Sequence, residues 1–83
     1  MVMMLVSEPP AARLKRIGEV LRAARHARGM TVIEVAVRAG VAQKVVERIE
    51  SGLNTTIMGL LDVAQVLGVA VDAQGEVIEA EKT

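Results

Sequence analysis

Residues 29–52 read GMTVIEVAVRAGVAQKVVERIESG, and this stretch encodes two short helices with a corner between them. Thr31-Val32-Ile33-Glu34 is a capping box, in which the Thr hydroxyl accepts from the amide of Glu34 while the carboxylate reaches back to the amide of Thr31. Met30 and Val35 supply the matching hydrophobic staple. Ala39-Gly40 closes this helix after about two turns, because a glycine takes the left-handed conformation of a helix end without steric cost. A second helix, Ala42 to Glu50, turns Val46 and Ile49 inward and stops at Ser51-Gly52. Its cap residue, Ala42, has no side-chain acceptor. Ala36 is small enough for Val46 to cross it closely.

Helix, glycine corner and helix at this spacing form a helix-turn-helix arrangement. On its N-terminal side, Leu14, Ile17, Leu21 and Ala24 recur at three- and four-residue steps, the pattern of an amphipathic helix from Ala11 to Ala27. That helix follows Pro9-Pro10 and ends before Gly29. On the C-terminal side, Asn54, Thr55 and Thr56 are candidate caps for a further helix. Its apolar side is Ile57, Leu60, Leu61, Ala64 and Leu67, and it ends at Gly68; Gly59 weakens it slightly. From Val69 the period changes to two, through Val71 and Ala73, then Gln74-Gly75, then Val77-Ile78, which predicts a strand or a hairpin. The expected fold is mainly α, with four to five helices and a short C-terminal β-strand or hairpin.

Composition narrows the class. The chain has 83 residues, enough for one domain near the lower size limit of an unaided core, so dimerisation would help it. It is 52% hydrophobic with no Phe, Trp or Tyr, so Val, Leu, Ile, Met and Ala must build the core. With no Cys, a disulfide framework and a thiolate zinc site are both excluded, which fits a cytoplasmic protein. The opening MVMMLV is too short for a signal-peptide core and runs into Ser7-Glu8-Pro9-Pro10, and no stretch is long enough to span a membrane. The formal net charge of +0 conceals segregation: residues 1–52 carry nine Lys/Arg against five Asp/Glu, and residues 53–83 carry Lys82 against five acids. The basic side is densest at Arg13, Lys15, Arg16, Arg22, Arg25 and Arg28, a pattern suited to a polyanionic partner or to a solvated helix face.

The run GMTVIEVAVRAGVAQKVVERIESG resembles the Cro and phage-repressor (XRE) helix-turn-helix family, whose pattern reads roughly G-hydrophobic-T-Q-x-E-L-A, G-V-S, I-E-x-G. The resemblance covers residues 13 to about 71. Within the family, Asn54-Thr55-Thr56-Ile57 followed by Leu60-Leu61 and Val66-Leu67-Gly68 is most similar to the HipB-type antitoxins. The resemblance implies a lambda-repressor-like domain that binds double-stranded DNA as a homodimer and represses its own operon. It also implies a toxin partner and dimerisation through a C-terminal strand. The chain accordingly divides into an N-terminal arm or short strand at 1–10, the DNA-binding domain at 11–68, and a strand or hairpin with an acidic tail at 69–83 serving dimerisation. Two residues depart from the family pattern. Val32 stands where a phosphate-holding Gln is usual, and Ala42 stands where Ser or Thr is usual.

The second helix of the motif presents Gln43, Lys44, Val45, Glu47 and Arg48 on the face away from Val46 and Ile49. The family's base-contacting positions fall on Gln43, Lys44 and Arg48. Gln43 can pair with adenine, Lys44 and Arg48 can donate to guanine, Val45 can touch a thymine methyl, and Glu47 can accept from cytosine or repel a phosphate. For phosphates the candidates are Arg22, Arg28, Lys44 and Thr31, together with Asn54, Thr55 and Thr56 at the amides that open the next helix. The resemblance further implies an ion pair between Arg25 and Glu50, which removes Arg25 from the basic face. His26, alone and without a carboxylate cluster, gives no metal site, and no nucleophile stands with a base, so neither an enzyme nor a cofactor is expected. Two other readings share these residues: a stand-alone regulator with no toxin partner, and a protein-interaction module with weak affinity for DNA.

Overall fold

The computed structural model describes residues 10–71 and 77–80. Four helices, α1 (Pro10–Ala27), α2 (Val32–Ala39), α3 (Gln43–Glu50) and α4 (Ile57–Leu67), precede two strands, β1 (Val69–Val71) and β2 (Val77–Ala80). The mainly helical architecture with a short terminal β element is the expected one.

Local chemistry sets each boundary. Pro10 occupies the first position of α1, where a missing N–H costs nothing. At α2, Thr31 Oγ1 accepts from Glu34 N at 3.1 Å, and Thr31 N donates to Glu34 Oε1 at 2.8 Å, which completes the capping box. Gly40 closes the helix with φ 72°, its N–H donating back to Ala36 and Val37. Ala42 caps α3 with no side-chain hydrogen bond. Of the three candidates for α4, Thr56 is the cap, accepting from Gly59 N at 3.0 Å, and Gly68 ends the helix in the left-handed conformation.

The core takes Ile17 and Leu21 from α1, Val35 and Ala36 from α2, Val46 and Ile49 from α3, and Leu60, Val63, Ala64 and Leu67 from α4, with Val69 of β1 beneath. Leu14 and Ala24, also on the predicted stripe, are only half-buried. With no aromatic ring to fill volume, the helices must lie close together. A Cβ placed on Gly18 would stand 2.3 Å from the carbonyl oxygen of Ile49, so α1 and the end of α3 meet backbone to backbone. Gly52, at φ 74°, repeats this one turn earlier on α1, where a Cβ would stand 2.8 Å from the Cα of Lys15.

β1 and β2 pair with each other, antiparallel and within the chain, in the register Val69↔Ala80, Ala70↔Glu79 and Val71↔Val77, with an irregularity between Ala70 and Val71. The buried Val69 fastens this hairpin directly behind α4, a support that an isolated hairpin lacks. The expected turn at Gln74-Gly75, the N-terminal arm at 1–9 and the tail at 81–83 lie outside the described residues. Among the described residues, no helix is long and apolar enough to cross a membrane.

Candidate nucleic-acid interface

Helix α3 is held from behind by α1. Arg25, on the last turn of α1, sends Nε to Glu50 Oε2 at 2.6 Å and Nη2 to Glu50 Oε1 at 3.0 Å, a two-pronged pair in which the side chains are only 11% and 10% exposed. Its remaining nitrogen, Nη1, donates to the carbonyl of Met30 at 3.0 Å, so the same guanidinium also fixes the approach to α2. The hydrogen bonds to Glu50 hold the Arg25 guanidinium above its ordinary pKa, against the opposing effect of burial and with Coulombic attraction to Glu50 assisting. Arg25 thus serves the scaffold and is buried away from any ligand.

The outer side of α3 is where the proposed reading residues fall. Gln43, Lys44, Glu47 and Arg48 are all exposed. Lys44, Glu47 and Arg48 line a shallow groove of about 220 Å³ with Ser51 and Leu53, which places them on one face at the spacing of successive helical turns. Gln43 Nε2 donates to Glu47 Oε2 at 3.0 Å across one turn. Arg48 Nε donates to the main-chain carbonyl of Asn54 at 3.1 Å, which ties α3 to the loop leading into α4. Sequence inspection assigns no role to that carbonyl, because a backbone acceptor leaves no signature in residue type.

Val45 belongs elsewhere. It is half-buried and packs on the core, with its Cγ1 beside Gly59 of α4, where an added Cβ would stand 3.2 Å away. Val45 therefore lies on the flank of α3 that faces α4, which corrects its expected place among base-reading side chains. Gly59, which looks like a mere weak point in a helix, is the gap that lets this flank dock. Gly18 plays the corresponding part behind α3, and its signal in the sequence is a missing side chain at 18, one position from Ile17 on the buried stripe.

Arg28, expected at a phosphate, is exposed and tethered through one nitrogen. Its Nε donates at 3.1 Å to the carbonyl of Leu67, the last residue of α4, where a helix leaves carbonyls without partners and carries partial negative charge. This turns the guanidinium toward the C-terminus of α4, whereas the candidate phosphate amides lie at the other end of that helix, about 16 Å away at 1.5 Å per residue. Arg22 is exposed on α1. Thr31 already accepts from Glu34 and Thr56 from Gly59, which leaves each hydroxyl proton available to an incoming oxygen. Thr55 is half-buried and Asn54 exposed in the same loop. His26 is exposed beside the Arg25 guanidinium, with Nε2 at 3.4 Å from Nη2. No group of three His, Cys, Asp or Glu able to hold a metal ion occurs among the described residues.

The exposed face of α3, the capping box of α2 and the threonines that open α4 supply donors of the kind a phosphate backbone takes, around side chains of the kind that reach base edges. A family model described as a helix-turn-helix domain matches residues 16–76, nearly three quarters of the chain. No curated protein matches the sequence.

Proposed function

We propose, from the premise that this chain belongs to the helix-turn-helix domain family, that it is a sequence-specific transcriptional repressor that binds a palindromic operator as a homodimer. The observation that carries this reading is α3 itself: a short helix pinned from behind by Arg25 and Glu50, with Gln43, Lys44, Glu47 and Arg48 on its free face. A reading element must hold its side chains in register with base pairs, and the Arg25–Glu50 pair and the backbone contact at Gly18 anchor this one.

The homodimer is supported by exposed apolar side chains on α4. The first half of α4 exposes Ile57, Met58 and Leu61 to 69%, 62% and 43%. Gly59 turns the opposite side of the helix toward Val45 of α3, so this apolar face points away from the core. A two-fold axis through this face would pair it with itself in a second copy. Two α3 helices on one side of a duplex imply half-sites about 10 base pairs apart. The finer reading, an antitoxin that also binds a cognate toxin, is supported by the run from Asn54 to Gly68 and by its resemblance to the HipB-type antitoxins. A non-enzymatic, cytoplasmic protein without a cofactor fits the same residues.

One set of observations favours the interaction-module reading instead: Gln43 and Arg48 are both engaged within the chain, Val32 offers a phosphate no side-chain donor, and Ala42 gives α3 no side-chain cap. Duplex binding measured across a salt series separates the two. Under the repressor reading, affinity falls linearly on a log–log plot, with about 0.9 of slope for each phosphate neutralised, and a selected sequence is bound at least a thousandfold tighter than random duplex, about the usual lower bound. Absence of binding at low salt overturns it.

A further inference from the structure

We infer that Glu47 is a specificity-determining residue that admits only amino-bearing bases, cytosine or adenine, at the step it faces in the major groove. This rests on the reading of α3 as a base-reading helix and goes beyond it by naming what one position selects.

The hydrogen bond from Gln43 decides the matter. Glu47 stands one turn after Gln43, and its Oε2 accepts from Gln43 Nε2, so the carboxylate is drawn toward the N-terminal turn of α3. The N-terminal residues of a recognition helix are those that meet base edges. Held there, the Glu47 carboxylate shares the N-terminal turn of α3 with Gln43, the part of a recognition helix that reaches base edges. Arg48, the neighbouring cation, sends its Nε the other way, to Asn54.

An ionised carboxylate is an acceptor only. In the major groove guanine offers two acceptors, N7 and O6, and thymine offers O4 and a methyl group, so each presents Glu47 with a lone pair or an apolar surface. Cytosine offers the N4 amino group and adenine the N6 amino group, either of which donates to the free oxygen, Oε1. The Gln43–Glu47 pair is therefore an acceptor-weighted unit. The selection works mainly by exclusion, since a desolvated carboxylate facing an acceptor has no compensating partner.

Selection from a pool of randomised duplexes, run in parallel with the full chain and with Glu47→Gln, tests this. Glutamine keeps the shape, loses the charge and can donate. The full chain is expected to enrich sites with one half-site position restricted to cytosine or adenine on one strand. Glu47→Gln should admit guanine and thymine at that position alone, with discrimination there reduced by about 5- to 150-fold. Loss of a negative charge also tightens binding to every duplex, so the readout is the ratio between bases and not the affinity. Glu47 is exposed, so Glu47→Gln is expected to melt with the parent, which is checked before the selection. Identical preferences for the two proteins overturn the inference while leaving the DNA-binding reading intact. So does duplex binding without any enrichment. Failure of the full chain to retain any duplex at low salt removes both.

Discussion

The Arg25–Glu50 pair stands in place of apolar packing at the seam between α1 and α3, and its stability effect follows from its burial. Both side chains are about nine-tenths covered and three separate hydrogen bonds leave the guanidinium. Deleting one partner strands the other charge away from water, which costs about 3 kcal/mol or more. In a domain of this size that corresponds to a fall in Tm of about 12 °C or more. Glu50→Ala should show this in a thermal melt followed by circular dichroism, and a melt within two degrees of the parent would falsify the pairing as a structural element. At this scale the sequence is informative about pairs and less so about direction. Arg28 and Arg48 are legible as cations near a basic face, yet both send Nε to main-chain carbonyls, one of them 39 residues away. A carbonyl freed by a helix end is visible only once the helices have been placed.

Among the elements, α2 explains itself locally and α3 does not. The capping box and Gly40 that bound α2 lie within ten residues of each other, so its limits follow from residue types alone. α3 has Ala42 at its cap position, and none of its first amides receives a side-chain acceptor there. It is helical because Val46 and Ile49 are buried and because α1 grips its end. Supplying the missing acceptor should therefore stabilise the protein: Ala42→Ser is expected to add about 1 kcal/mol, read as a rise in Tm of about 4–8 °C. An unchanged or lowered Tm would show that the serine cannot reach the Lys44 or Val45 amide. The flank of α3 is the part that periodicity misassigns. Val45 lies about 100° round from Val46, and only the notch at Gly59 makes that direction an inside one. The hairpin is legible as a change of period, but its partner is not, because alternation fits pairing within the chain and pairing between chains equally well. β1 and β2 pair with each other.

For the whole molecule the issue is how 83 residues without an aromatic ring sustain a fold and a binding surface together. Among the described residues eleven aliphatic side chains form the core, and the apolar surface left over on α4 is where a second molecule would contribute. Leu61→Glu places a charge on that face without touching the core. The parent is expected to sediment as a dimer, and the variant as a monomer with an unchanged circular dichroism spectrum. The variant should also lose affinity for a two-half-site operator far more than for a single half-site. A variant that still dimerises would move the interface to the free edges of the hairpin.

The backbone-to-backbone contacts of α3 and its ion pair are gathered at one end of it, while Val45 and Val46 pack along its inner side. Gly18 meets the carbonyls of Ile49 and Glu50, Gly52 meets Lys15, and Arg25 grips Glu50. The helix is mounted like a cantilever, clamped at its last turn and free along the edge that carries Gln43, Lys44 and Glu47. The clamp and the free edge share no residue. Substitutions on the edge can thus retarget the protein to new sequences while the clamp, and with it the fold, stays as it is.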